Sequence, residues 1–112
     1  MPQSSNALKR KLVSRPVSDF EFKVTGDGNF SLSGEMSFDT ADRILKLSER
    51  QFGGHDVINV DFSSVTKADS AGLALLLEWK MQARQHQAEI RFTGLPESVV
   101  AIARTTEVDH LL

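Results

Sequence analysis

The sequence predicts an α/β fold: a four-stranded mixed β-sheet covered on one face by helices, in the order β-β-α-β-α-β-α-α. Three observations carry this reading. Phe20, Phe22 and Val24 alternate with Glu21 and Lys23, and Phe30 and Leu32 alternate with Ser31 and Ser33, on either side of Gly26-Asp27-Gly28-Asn29. That is the period of two half-buried strands joined by a turn rich in residues that tolerate positive φ. Val57-Ile58-Asn59-Val60-Asp61-Phe62 is dense in β-branched residues and nearly continuous in apolar character, as in a central strand with a parallel neighbour. A helical pattern then follows from Asp69-Ser70-Ala71-Gly72.

The elements follow in order. The hairpin ends at Gly34. Asp39-Thr40-Ala41 opens a helix, with Asp39 the better N-cap candidate. Ile44, Leu45, Leu47, Ser48 and Phe52 keep helical spacing until Gly53-Gly54 stops it. The strand from Val57 gives way at Ser63 to a short polar loop, and a second helix runs from about Ser70 to Gln87. Glu89 to Thr93, with Ile90 and Phe92 apolar, makes a fourth strand. Gly94-Leu95-Pro96 breaks it, and Pro96 suits the first turn of a third helix over Glu97–Arg104. A last short helix covers Glu107–Leu112. Right-handed crossovers place the long helices on one face.

The chain has 112 residues, 40% hydrophobic and 25% charged, which fits one domain. It has no Cys, so disulfide and thiolate chemistry are excluded. No run approaches the ~18 apolar residues of a membrane span, and no apolar stretch follows the N-terminal basic residues as in a secretory signal. The expected location is cytoplasmic. The net charge of -2 hides an asymmetry. Lys9, Arg10, Lys11 and Arg15 stand in residues 1–18 without an acid, which leaves nine basic against fifteen acidic groups in the rest. An acidic body argues against nucleic acid as the main ligand. Residues 1–18, with Pro2, Ser4, Ser5 and Pro16, read as a disordered basic arm. Residues 19–112 read as the folded domain.

The junction Asp69-Ser70-Ala71-Gly72 concentrates the candidate function. Asp69 can cap the helix, accepting from the N–H of Ala71 or Gly72. Ser70 then stands in the first turn, beside free N–H groups and the positive end of the helix dipole. Gly72 lets another backbone approach closely. The serine hydroxyl admits three roles: support of the helix start, contact with a partner, or phosphorylation. Leu73, Ala74, Leu75, Leu76 and Leu77 cover every direction around a helix axis. With Leu73, Leu76 and Leu77 toward the sheet, Leu75 and Trp79 point away together. Either neighbouring helices cover them or they form an apolar anchor for another protein.

Catalytic and cofactor signals are missing. His55, His86 and His110 lack ligand spacing. Ser70 has no companion base in the local sequence and does not stand in Gly-x-Ser-x-Gly. Gly53-Gly54 and Gly26-x-Gly28 form no phosphate-binding fingerprint. The chain therefore reads as non-enzymatic, with no cofactor and no metal.

Leu32-Ser33-Gly34-Glu35-Met36, Asp61-Phe62-Ser63-Ser64-Val65 and Asp69-Ser70-Ala71-Gly72-Leu73 resemble the STAS domain family, over about residues 19–112. The resemblance implies a four-stranded sheet with helices on one side. Within that family, Lys67 and the run Gly72 to Leu77 look most like the STAS subunits of the Mla phospholipid-transport ABC system, which supports outer-membrane lipid asymmetry. By that resemblance the chain is a cytoplasmic accessory subunit, peripheral to the inner membrane. By it, Ser70 and its neighbours touch an ABC transporter ATPase subunit; with the apolar helix face read above, the expected contact residues are Lys67, Asp69, Ser70, Ala71, Gly72, Leu75 and Trp79. The alternative is an anti-sigma factor antagonist, in which an anti-sigma factor kinase would phosphorylate Ser70. Ser37, where an Asp is usual, and Lys67, where an apolar residue is common, depart from the antagonist pattern. A third class, nucleotide or lipid binding, finds no phosphate loop here.

Overall fold

The computed structural model describes residues 19–112. The arm expected over residues 1–18 lies outside the described residues. The elements are β1 (Phe20–Gly26), β2 (Asn29–Met36), α1 (Ala41–Gln51), β3 (Val57–Ala68), α2 (Ser70–Gln85), β4 (Glu89–Thr93) and α3 (Glu97–Thr105), closed by a 3-10 turn at Asp109–Leu111. The sheet order is β1-β2-β3-β4. β1 pairs antiparallel with β2, with Phe22 opposite Leu32. β2 and β3 are parallel, as are β3 and β4, with Ile58 opposite Ile90. The expected four-stranded mixed sheet is therefore present, and the last segment is a 3-10 turn rather than an α-helix.

The hairpin turns through Gly28, whose φ of 75 favours glycine. Phe20, Phe30, Leu32, Ile58, Val60, Phe62 and Ile90 point to one face and are buried. Glu21, Lys23, Asp61, Glu89 and Arg91 alternate with them and stay exposed on the other face.

Three local expectations need correction. β3 does not end at Phe62 but continues to Ala68. Its polar second half still has a ladder partner, since Gly34, Glu35 and Met36 of β2 pair with Val65, Lys67 and Ala68. It reads as a loop because β4 stops at Thr93, opposite Asp61, and Ser63, Ser64, Thr66 and Lys67 face solvent. The N-cap of α1 is Thr40, not Asp39. The Thr40 hydroxyl is fully buried, accepts from Ser37 N–H at 2.9 Å and donates to the Glu35 carbonyl at 2.9 Å. Asp39 remains exposed. α2 stops at Gln85, two residues early, because Gln87 adopts φ 57 and Ala88 N–H bonds back to the Ala83 carbonyl.

The third helix lies where expected and extends one residue further. α2 packs between α1 and α3 over the sheet. Trp79 is 1% exposed. Its ring stands 5.4 Å from Phe52 and 6.1 Å from Phe62, centroid to centroid. The indole N–H donates to Ser48 Oγ of α1 at 2.8 Å, and Ser48 Oγ donates to the Leu45 carbonyl at 2.7 Å.

Candidate functional site

The three parallel strands end at one edge of the sheet, and each feeds a helix whose N-terminus starts there. The connections are short: Ser37–Thr40 before α1, Asp69 alone before α2, and Gly94–Pro96 before α3. Side chains distant in sequence thus meet on one rim.

Asp69 is its centre. The residue is extended (φ -137, ψ -166), and its Oδ1 accepts from Ala71 N–H at 2.9 Å, the cap read from the sequence. Oδ2 accepts from Phe38 N–H at 3.2 Å, which ties the β2–α1 loop to the start of α2. The same loop is fastened from below. Ser37 is buried and its hydroxyl donates to the Glu35 carboxylate. Asp39 N–H donates to Ser37 Oγ at 3.3 Å. Between these fixed points the Phe38 side chain projects into solvent, 83% exposed. An aromatic so exposed is unusual, since such a ring gains most when covered.

The expected site residues divide into two groups. Lys67 and Ser70 are exposed, and Asp69 and Ala71 are half-buried, so these four share the rim with Phe38. Gly72, Leu75 and Trp79 are buried. The close backbone approach at Gly72 is made by the chain itself: a Cβ there would stand 2.7 Å from the Met36 carbonyl oxygen. The expectation that Leu75 and Trp79 point away as an apolar anchor is corrected. Leu75 is 4% exposed, because α1 and α3 flank α2 and cover it on more than its sheet-facing side. The solvent line of α2 is Ser70, Ala74 and Met81, with Met81 49% exposed. Phe38, Ala74 and Met81 were missed from the sequence. Phe38 stands alone in a loop without periodicity, and the α2 line depends on which neighbours cover the helix. Ser98 joins the rim from α3, its hydroxyl 3.4 Å from the Ala68 carbonyl.

The displaced titrations belong to residues away from the rim. Hydrogen bonds from the Ser63 backbone and hydroxyl hold the Asp61 carboxyl below its ordinary value. Burial pulls Lys80 down, and its ammonium donates to the Ile90 carbonyl at 2.8 Å. The hydrogen bond from Arg91 lowers Glu89. Among the described residues, no group of three His, Cys, Asp or Glu is placed to hold a metal, and no helix is long and apolar enough to cross a membrane.

This architecture, one mixed sheet with a helical layer and a serine at the start of the helix after the central strand, is that of a STAS domain. The family model described as "Mlab, STAS domain" matches residues 23–112, and the chain belongs to that family. Among solved structures, the anti-sigma factor antagonist SpoIIAA in its unphosphorylated form superposes with a TM-score of 0.60 at 18% identity, covering 82% of this chain and 84% of that one. A crystal structure of Mglu matches with a TM-score of 0.53 at 16% identity, over 69% of this chain but only 19% of that chain. At these identities both show the fold. No curated protein sequence matches.

Proposed function

We propose that this domain is a non-catalytic interaction module that docks by the Phe38–Ser70 rim on the ATPase subunit of a phospholipid-transport ABC complex, at the cytoplasmic face of the inner membrane. Members of the STAS family act as partner-binding modules, and the MlaB-type family assignment supports an ABC transporter as the partner. The observation that carries the reading is Phe38. Its backbone is clamped by Asp69 while its ring stays in solvent. With its backbone held and only two side-chain torsions left to order, the ring is buried at a modest entropic cost, and aromatic residues are enriched at interface cores. Ser70, Lys67 and Ala71 on the rim, with Ala74 on the outward line of α2, complete the proposed contact surface.

The test is co-purification of the tagged domain with an ABC transporter ATPase subunit from its own host. Phe38→Ala and Ser70→Trp abolish capture while the thermal melt of the isolated domain stays within a few degrees of the parent. Capture unchanged by both substitutions removes the rim from the interface. The second reading, a phospho-regulated anti-sigma factor antagonist, draws support from the exposed Ser70 hydroxyl at the N-terminus of α2. A phosphoryl group there adds about -1.5 to -2 charges. Intact-mass analysis of protein isolated from its own host decides it: an adduct on Ser70 favours this reading, and its absence under all growth conditions sets it aside.

A further inference from the structure

At the opposite edge of the sheet, α1 and α2 end side by side over the starts of β3 and β4 and enclose an open cleft of about 620 Å³. Phe52, half-buried, contributes aromatic surface to its floor, with the buried Trp79, Ile58 and Ile90 directly behind it. Glu49 and Asp56 line it, together with the imidazoles of His55 and His86, and none of the described lining residues is Lys or Arg. Two helix C-termini open onto this space, through Phe52 at the end of α1 and His86 at the end of α2. Each carries roughly half a negative charge. Carboxylates, two helix C-termini and the Phe52 ring together favour one kind of occupant, a cation with an apolar body, whose charge is held by the carboxylates and by that ring.

We propose that this cleft binds a small organic cation of that kind, an aryl- or alkylammonium. The site lies at the other end of the domain from Phe38 and Ser70, and it stands whether or not the rim docks an ATPase.

Benzyltrimethylammonium is the probe, and phenylacetate, similar in size but anionic, is the control. Trp79 is the only tryptophan in the chain, so its fluorescence reports on the cleft floor. The amide chemical shifts of Gly53 and Gly54, both on the cleft wall, give a second readout. The cation produces saturable changes in both, with a Kd in the millimolar range suited to so small a ligand, and phenylacetate produces none. Glu49→Gln and Asp56→Asn each weaken the cation about fivefold, the Coulomb attraction of a charge pair near 4 Å in water. Both are surface substitutions, and an unchanged melt confirms that the fold is kept. Equal shifts with phenylacetate, the absence of saturable shifts, or undiminished binding in the double variant Glu49→Gln/Asp56→Asn each overturn the proposal.

Discussion

Ser48→Ala tests whether Trp79 is a structural side chain locked inside the domain. The Ser48 side chain is fully buried, and its oxygen is the partner of the indole N–H at 2.8 Å. Alanine keeps the helix and removes almost no apolar contact, so the helix-propensity change is small and favourable. The dominant effect is a buried N–H left without an acceptor, which costs about 1–3 kcal/mol. For a domain of this size, each kcal/mol lowers the melting temperature by about 4–8 °C, so a fall of about 4–24 °C is expected. Trp79→Phe removes the donor instead, and Ser48 Oγ keeps the Leu45 carbonyl as a partner. The double variant should therefore cost less than the sum of the singles, with a coupling of about 1 kcal/mol. The assay is urea unfolding of all four proteins followed by far-UV circular dichroism. A Ser48→Ala variant within about 0.5 kcal/mol of the parent, or strict additivity in the cycle, would refute a paired, water-excluded indole.

Three further outcomes are expected. Gly72→Ala destabilises the domain by about 1–3 kcal/mol despite alanine's higher helix propensity, because the new Cβ meets the Met36 carbonyl at 2.7 Å; a thermal melt at or above the parent's would contradict this. Asp69→Ala removes the cap on Ala71 and the tie to Phe38, lowers stability by about 1–2 kcal/mol and speeds amide exchange at Phe38 and Ala71, which hydrogen-exchange mass spectrometry reads. The Asp61 carboxyl titrates below its ordinary value because Ser63 donates to it. Its contribution is therefore complete above about pH 4, the unfolded carboxyl's value, and is lost as pH falls through the lower folded value. Asp61→Asn should flatten the acid limb of a plot of urea midpoint against pH, and an unaltered limb would exclude the Ser63 contact as its source.

The sequence revealed the scaffold because the scaffold is periodic. Alternation at Phe20–Val24 and Phe30–Leu32, the apolar run at Val57–Phe62 and the glycines at helix ends each follow from local chemistry. The serine and its capping aspartate were legible for the same reason, since a cap is a short-range hydrogen bond. What failed depended on neighbours. Leu75 and Trp79 look surplus on a helix that rests on one sheet, and they cease to be surplus once α1 and α3 stand on either side. The polar residues after Phe62 look like loop, yet β2 reaches far enough to pair with them through Ala68. Phe38 has no pattern of its own. Its exposure follows from where Asp69, thirty-one residues away, holds its own N–H and Ser37 holds the N–H of Asp39 beside it.

The joint between the central strand and the helix above it is one residue long, so the rotation of α2 about its own axis is dictated by the sheet. Adding a residue at Asp69 would turn everything downstream by about 100°. Ser70, Ala74 and Met81 would then swing under a neighbouring helix, and core leucines would swing out. Substitutions on the outward line leave this gearing untouched, whereas a single-codon insertion at the joint unmakes the core and the outward face together.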